Sequence, residues 1–263
     1  MNSNVSIVIP TFNRADLLSR AIETSLSQTY QCEVIVVDHG STDHTPDIAK
    51  KFNREIKYIR RETDFGPHFC WLEGVLRSSG DFVHLQFDDD WIQETFIEAC
   101  MNVMDDETGF SFSRAEVEFD DKQNNTVLFK KMPKVSGIYS VSKLEKRILK
   151  AQVISPGCCV FRRQLLIDSI YIGNLPLDKH SYHGVGPDRF MTLLPMLHYP
   201  KVGFVSEPLA IFYAHAGSIT IDALSDKQKK KELGLGYKNV IRYYKELKAL
   251  LKFRRFSGYY VGR

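Results

Sequence analysis

The residues best suited to chemistry form an acidic triplet, Asp88-Asp89-Asp90, which follows an apolar stretch that ends at Phe87. Adjacent carboxylates repel one another, and the repulsion costs stability unless positive charge compensates it. A hard divalent cation, Mn²⁺ or Mg²⁺, prefers carboxylate oxygens and can bridge them to a substrate phosphate. The alternative is a solvated acidic turn that caps a helix beginning near Gln93.

Two further polar groups follow predicted strands. The β-branched run Val5–Pro10 ends just before Thr11, and the run that begins at Glu33 ends at Asp38. In open parallel sheets, ligands bind beyond the carboxyl ends of the strands. A solvated acidic turn does not account for Asp38 at this same edge, so the pattern favours a ligand site.

The elements that must position these groups alternate between strand and helix in the first hundred residues. Besides those two strands, the periodicity predicts strands over 56–59 and 82–87 and helices over 15–27, 44–52 and 69–79. This alternation is typical of an α/β fold with a parallel sheet and helices packed on it.

The second half of the chain is less regular. Strands are predicted over 109–119, 126–131, 202–205 and 209–213, and helices over 142–150, from Arg163 and over 188–197. Residues 173–187 form a predicted long loop, rich in Gly, Pro, Asp and His, of the kind that often carries function. We expect a first half over 1–115, a second half over 116–224, and a C-terminal extension over 225–263.

Composition indicates an ordinary globular chain. Of 263 residues, 43% are hydrophobic and 25% charged, and no apolar run approaches the ~20 residues of a membrane-spanning helix. The five cysteines lack metal-site spacing, and no signal peptide is predicted. We therefore expect reduced thiols, which are mostly core residues, and a cytoplasmic location.

The C-terminal extension is strongly basic. Residues 227–263 contain twelve Lys or Arg and two Asp or Glu, whereas the whole chain carries only +3. A helix over 237–252 would have an apolar stripe that includes Val240, Leu247 and Leu250. Such a basic amphipathic helix suits an anionic membrane surface, here the inner face of the cell membrane. The alternative is a helix packed on the core; nucleic acid is not expected, because no nucleic-acid motif is present.

Three motifs in order resemble a known family. Val5–Arg14 (VSIVIPTFNR), Val34–Asp43 (VIVVDHGSTD) and Phe87–Trp91 (FDDDW) are similar to the inverting nucleotide-sugar glycosyltransferases of family two. The resemblance covers about residues 4–220. It implies the GT-A fold, a Rossmann-like mostly parallel sheet flanked by helices. It also implies a nucleoside-diphosphate sugar donor, Mn²⁺ or Mg²⁺ as cofactor, and a hydroxyl of a glycan or lipid-linked glycan as acceptor, in surface polysaccharide synthesis. By the same resemblance, residues 1–115 are the nucleotide-sugar-binding half and residues 116–224 the acceptor-binding half.

The resemblance also implies site roles. Asp90 is the main metal ligand, with Asp88 and His215, and the segment Tyr213–Thr220 resembles the Tyr-Arg-x-His-x-x-Ser stretch of the family. Asp188, after Pro187, matches the catalytic base; its rivals in the same loop are Asp178, His180 and His183. The implied nucleotide- and donor-binding residues are Pro10, Thr11, Asn13, Asp38, Gly66, Asp88 and Asp89.

The chain departs from the family motifs at two places that concern nucleotide binding. His39 stands where the family usually has an acid or Asn, and Trp71-Leu72 replaces a common Arg-Asn pair. The missing Arg often helps to hold the nucleotide, and Arg60 or Arg61 could substitute for it.

The chemistry requires a base for the acceptor hydroxyl. A carboxylate can take that proton and typically contributes about 10²–10⁴-fold in rate. Asp188 begins a predicted helix, whose dipole favours the ionised form, although an Asp at this position is most often only a cap.

Two other functions remain open at this point. A nucleotidyltransferase is also parallel-sheeted and metal-dependent, but it would favour a Gly-rich basic loop where this chain has Thr11–Arg14. A non-catalytic nucleotide- or sugar-binding module would need no base.

Overall fold

Strands and helices alternate through the first half of the computed structural model, which describes residues 5–119, 125–150, 154–172, 186–215 and 226–256. The first half contains β1 (Val5–Thr11), α1 (Ala15–Leu26), β2 (Cys32–His39), α2 (Thr45–Lys51), β3 (Lys57–Arg61), α3 (Pro67–Arg77), β4 (Phe82–Leu85), β5 (Trp91–Ile92) and α4 (Phe96–Met101). The order follows the predicted alternation.

The second half completes the sheet and adds helices. It contains β6 (Thr108–Phe119), β7 (Thr126–Val127), β8 (Gly137–Ser140), α5 (Val141–Lys150), a 3-10 turn (Pro156–Cys158), β9 (Cys159–Arg162), α6 (Arg163–Ser169), α7 (Pro187–Leu193), α8 (Pro195–His198), β10 (Lys201–Ala214) and the C-terminal helix α9 (Lys227–Phe256).

The described strands form one sheet in the order β3-β2-β1-β4-β9-β6-β10-β5. Strands β3, β2, β1 and β4 are parallel. Strand β9 is antiparallel to both β4 and β6, so β6 runs in the same direction as β4 and β1. Strand β10 is parallel to β6 and therefore runs in this direction too. The carboxyl ends of β1, β2, β4 and β10 therefore meet at one edge, and the predicted mostly parallel α/β fold is confirmed.

The structure corrects several predicted element boundaries, among them the strand 126–131, of which only β7 (Thr126–Val127) forms. Residues 202–205 and 209–213 are one strand, β10, whose register shifts on either side of Pro208, because proline has no N–H to give to the ladder. The predicted helix 188–197 is divided into α7 and α8 at Pro195, which begins α8. Strand β4 ends at Leu85 rather than at 87, and β8 (Gly137–Ser140) was not predicted.

Helix α9 begins ten residues earlier than predicted and packs on the body of the protein. Its residues Val240 and Tyr244 are fully buried. The Tyr244 hydroxyl donates to Glu145 Oε1 on α5 over 2.7 Å, and Lys248 pairs with the same carboxylate. Part of the apolar stripe is thus core. Leu250 and Phe253, further along the helix, are 47% and 68% exposed.

No helix in the described part of the chain is long and apolar enough to cross a membrane. The five cysteines are free, and Cys70, Cys100, Cys158 and Cys159 are buried as predicted for core residues. Of the predicted loop 173–187, residues 173–185 lie outside the described part of the chain. They include Asp178, His180 and His183.

Candidate active site

The acidic triplet occupies the turn between β4 and β5. Gln86 N still donates to Val8 O of β1 over 2.9 Å, and Asp90 N closes the turn on Phe87 O over 3.1 Å. The next two residues form β5, which pairs with β10. Strands on both sides therefore hold the carboxylates at the carboxyl edge of the sheet.

The end of β10 reaches the triplet directly. Tyr213 N donates to Asp90 Oδ1 over 3.0 Å, and His215 Nε2 lies 3.3 Å from Asp89 Oδ2. The structure thus brings His215 to the triplet. Its carboxylate partner is Asp89, however, and not the predicted metal ligand Asp90.

An aromatic stack supports this junction, and the sequence did not reveal it. The Arg20 guanidinium of α1 lies 3.4 Å from the centre of the Trp91 ring and 5.0 Å from that of Tyr213. Tyr213 in turn stacks on His215 with ring centres 5.2 Å apart. A cation over aromatic faces stabilises the arrangement. Only the spacing of Trp91 after the triplet could have indicated it.

The triplet carries more negative charge than its surroundings offset. Burial, followed by the charge of Asp89, raises the pKa of Asp88 to about 7. The hydroxyl of Thr11 and the charge of Arg14 act in the opposite direction and lower this pKa. The same two causes raise the pKa of Asp90 well above its usual range, although Tyr213 N–H and Arg20 oppose them. Additional positive charge at this turn would be stabilising.

The carboxylates fit a metal shared with a substrate. Within the described ranges, no group of three or more His, Cys, Asp or Glu side chains could hold a metal ion by itself. Mg²⁺ and Mn²⁺, however, are commonly bound by one or two carboxylates together with substrate phosphates. Asp88 and Asp90 supply such hard oxygen donors, and their pKa values are raised by burial and by the charge of Asp89, which a bound cation would offset.

Asp38 lies at the same edge but is fully buried. Its Oδ1 accepts from Ser41 N over 2.8 Å, and its Oδ2 accepts from the Tyr58 hydroxyl over 2.7 Å. The more exposed group beside it is Arg60, whose Nε lies 3.5 Å from Asp38 Oδ2 and whose side chain is 43% exposed. A nucleoside would meet Arg60 before Asp38.

The structure distinguishes Arg60 from Arg61, the two residues that could substitute for the family's Arg, which is absent at Trp71-Leu72. Arg60 Nη2 donates to Ser41 O over 2.9 Å and remains beside Asp38. Arg61 instead pairs with the buried carboxylate of Glu73. Arg60 is therefore the better candidate for contact with a nucleotide.

Other predicted donor-site residues shape the loops. Asn13 has φ of 53°, a conformation that Asn tolerates; its N–H donates to Ser41 Oγ, and its Oδ1 accepts from Thr42 N. Gly66 has φ of 90° and ψ of 164°, a region essentially restricted to glycine. Pro10 and Thr11 are buried at the end of β1.

His39 and Trp71, which stand where the family usually has other residues, are mostly buried. His39 is 1% exposed, with Nε2 3.4 Å from Glu73 Oε2. The Trp71 ring lies 4.8 Å from His68 and 5.6 Å from Phe87, measured between ring centres. Trp71 thus supports the residue that precedes the triplet.

Asp188 lies in the first turn of α7. Its Oδ1 accepts from Gly186 N over 3.0 Å and from Arg189 N over 2.8 Å, and its Oδ2 accepts from the Tyr237 hydroxyl over 3.3 Å. Burial raises the pKa of Asp188, whereas the backbone N–H groups of Gly186 and Arg189 at the helix start lower it. No sequence pattern indicated Tyr237, which belongs to α9.

A short turn connects Asp188 with the triplet. Helix α7 packs against the 3-10 turn Pro156–Cys158. At Gly157 in that turn, a side-chain Cβ would lie 3.2 Å from Phe87 Cδ2 and 3.3 Å from Phe212 Cε1. The helix of Asp188 thus rests on a segment that contacts the residue just before Asp88.

Comparison with known proteins gives a consistent result. The sequence model of "Glycosyl transferase family 2" matches residues 6–169. An uncharacterized protein of Mycobacterium tuberculosis is 25% identical over 236 residues, which are 86% of this chain and 63% of that protein. The chain thus spans less than two thirds of the length of this relative.

Solved structures resemble the fold. TarS of S. aureus, in complex with UDP-GlcNAc, gives a TM-score of 0.66 at 20% identity, over 82% of this chain and 60% of that one. The mannosyltransferase PcManGT of Pyrobaculum calidifontis, in complex with GDP-Man and Mn²⁺, gives 0.61 at 16% identity, over 92% and 65%.

Proposed function

Because the chain belongs to glycosyl transferase family 2, we propose that this glycosyltransferase moves a sugar from a nucleoside-diphosphate donor to a hydroxyl of a glycan or lipid-linked glycan, with inversion at the anomeric carbon. The observation that carries the proposal is the junction of the triplet with β10, where Tyr213 N binds Asp90 and His215 lies beside Asp89. The donors bound by TarS and PcManGT support a nucleotide sugar.

The donor lies across the half formed by residues 1–115. Asp38, Thr11 and Arg60 receive the nucleoside, and Asp89 lies toward the ribose or the donor sugar. Asp90 and Asp88 hold Mn²⁺ or Mg²⁺, with His215 close by. When bound, the ion stabilises the negative charge of the leaving diphosphate, an effect worth several kcal/mol.

Asp188 acts as the base for the acceptor, in the half formed by residues 116–224. The acceptor oxygen bonds to the anomeric carbon, and the bond from that carbon to the diphosphate breaks, with its electron pair leaving on the nucleoside diphosphate. The acceptor proton passes to Asp188. Because burial raises the pKa of Asp188, the carboxylate is a stronger base than an exposed Asp.

The C-terminal extension, residues 225–263, brings the enzyme to the inner face of the membrane, where lipid-linked acceptors for surface polysaccharide lie. Supporting this, α9 exposes Leu250 and Phe253 beside Lys245 and Lys252, all on the part of the helix that lies beyond Tyr244. Exposed apolar side chains among basic ones suit an anionic lipid surface.

The donor site is tested by thermal shift. UDP, GDP, CDP and dTDP are each added with and without Mn²⁺ to wild type, Asp90→Ala and Asp106→Ala. Asp106 is an exposed control that precedes β6, at the opposite edge of the sheet. We expect one nucleotide to stabilise wild type and the control when Mn²⁺ is present, and not Asp90→Ala. No metal-dependent shift with any nucleotide would contradict the metal role of the triplet.

The base is tested with Asp188→Asn. We expect this variant to keep the nucleotide-induced thermal shift and to lose transfer by about 10²–10⁴-fold. Unchanged transfer would refute the assignment of Asp188. A wild-type protein that binds nucleotide and neither transfers nor hydrolyses any donor sugar would instead favour a binding module.

A further inference from the structure

Helix α9 packs closely on the start of α7. Gly186, two residues before Asp188, has φ of 109°. A Cβ at this position would lie 3.0 Å from Val240 Cγ2 and 3.4 Å from Gly236 O, both on α9. Val240 is fully buried. The position of α9 is therefore determined at the loop that carries Asp188.

The hydrogen bonds of Asp188 use its two oxygens unequally. A carboxylate offers about four acceptor positions, two on each oxygen. Oδ1 accepts from two backbone N–H groups, of Gly186 and Arg189, whereas Oδ2 accepts from the Tyr237 hydroxyl. Among these contacts one acceptor position is left on Oδ2, and this position can take a proton.

Tyr237 and Arg189 are the titratable and charged groups that face Asp188 in the described structure. The Arg189 guanidinium donates to the carbonyl oxygens of Ile148 and Leu149 at the end of α5, over 3.5 and 3.3 Å. It therefore orients toward α5. Burial and the charge of Asp188 raise the pKa of Tyr237, so its hydroxyl keeps its proton and remains a donor at neutral pH.

We propose that Tyr237 is a positioning residue for Asp188: its hydroxyl holds Oδ2 so that the remaining lone pair of this oxygen faces the acceptor hydroxyl. The proposal rests on the proposed function of Asp188. During transfer, the acceptor oxygen bonds to the anomeric carbon, the bond to the diphosphate breaks, and the acceptor proton moves to Oδ2. Tyr237 keeps its own proton throughout. Helix α9, outside the matched family segment 6–169, thus becomes part of the active site.

The first test needs no substrate. Thermal unfolding is measured from about pH 4 to pH 8 for wild type, Tyr237→Phe, Asp188→Asn and the double variant. A bond to an ionised carboxylate is stronger than a neutral one, so we expect Tyr237→Phe to lower Tm by about 2–4 °C near pH 8 and by less near pH 4. In the Asp188→Asn background the effect should be small and independent of pH. An equal loss in both backgrounds at every pH would reduce Tyr237 to a packing role and overturn the proposal.

Two tyrosines of the same helix serve as matched controls. The Tyr243 hydroxyl is buried and has no hydrogen-bond partner among the described residues, so Tyr243→Phe should not lower Tm. Tyr244→Phe removes the bond to Glu145 and leaves Asp188 untouched. Its loss of Tm should therefore not depend on whether residue 188 is Asp or Asn.

The second test uses turnover of the nucleotide sugar selected by the nucleotide screen. Because the Tyr237 bond lowers the pKa of Asp188, we expect Tyr237→Phe to reduce kcat about tenfold, to leave KM for the donor unchanged, and to move the acidic limb of the pH profile to higher pH. If Asp188→Asn is inactive and Tyr237→Phe behaves as wild type, or is faster, the inference about Tyr237 fails. If Asp188→Asn is active, the proposed base itself fails.

Discussion

Replacing Asp88 with Asn removes one of three mutually repelling carboxyls and is expected to stabilise the metal-free protein at alkaline pH. Burial and the charge of Asp89 raise the pKa of Asp88 from 3.8 to about 7. The unfolded chain loses this proton near the ordinary value, so between about pH 4 and pH 7 the folded protein binds more protons than the unfolded chain. The free energy of unfolding therefore falls as the pH rises through this window.

The magnitude follows from the width of the window. At about 1.4 kcal/mol for each pH unit, wild type loses up to about 4 kcal/mol by pH 8. Asp88→Asn avoids this loss. It also removes one of the charges that raise the pKa of Asp90. The buried Asp188 adds a slope of the same sign, but it does so equally in both proteins.

The assay is urea denaturation at about pH 4.5 and pH 8 in the presence of EDTA, with Asp106→Asn as the exposed control. We expect Asp88→Asn to exceed wild type in stability near pH 8 and to approach it near pH 4.5. With Mn²⁺ and the nucleotide selected by the thermal-shift screen in place of EDTA, wild type near pH 8 should be stabilised by about 2.7 kcal/mol at a concentration of 100 Kd, and the variant by less. Parallel curves for wild type and Asp88→Asn over the whole range would refute the reasoning.

Three further predictions follow from packing and exposure. Gly74→Ala should lower the unfolding free energy by about 1–3 kcal/mol in urea, because its Cβ would lie 2.2 Å from Val8 Cγ1. Gly234→Ala on α9, where no atom of the described residues would lie within 4 Å of the new Cβ, should instead raise it by up to about 1 kcal/mol. Arg60→Ala should weaken nucleotide binding about tenfold in calorimetry with little change in Tm, since loss of a charged hydrogen bond costs about 1.5 kcal/mol; unchanged affinity would remove Arg60 from the donor site. Leu250→Glu should reduce co-sedimentation with anionic phosphatidylglycerol vesicles while Tm stays constant, and equal binding by both proteins would contradict the membrane proposal.

Much of the fold was predictable because its signals are local. The buried runs of β1 and β2, and the helical spacing of α1, alternate at short range, so the α/β class followed from periodicity. Strand β8 and the continuity of β10 past Pro208 were missed, because their pairing depends on distant strands rather than on their own pattern.

The candidate site was predictable to the level of its sheet edge. The position of the triplet after a strand, together with Thr11 and Asp38, indicated that edge, and the structure brings the end of β10 to it as well. The roles proposed for Asp188, Asp90 and the donor-site residues stay predictions.

The sequence by itself determined the alternation of strands and helices in the first half of the chain and which residues lie beyond the carboxyl ends of those strands, because both properties depend on neighbours along the chain. Only the tertiary structure decided which atoms meet. His215 joins Asp89 from 126 positions away, and Tyr237 joins Asp188 from 49 positions away. Arg60, rather than Arg61, remains beside Asp38, because Glu73 of another element binds Arg61. Such partners depend on how helices and strands pack together, and local periodicity carries no information about distances between elements that are far apart in the chain.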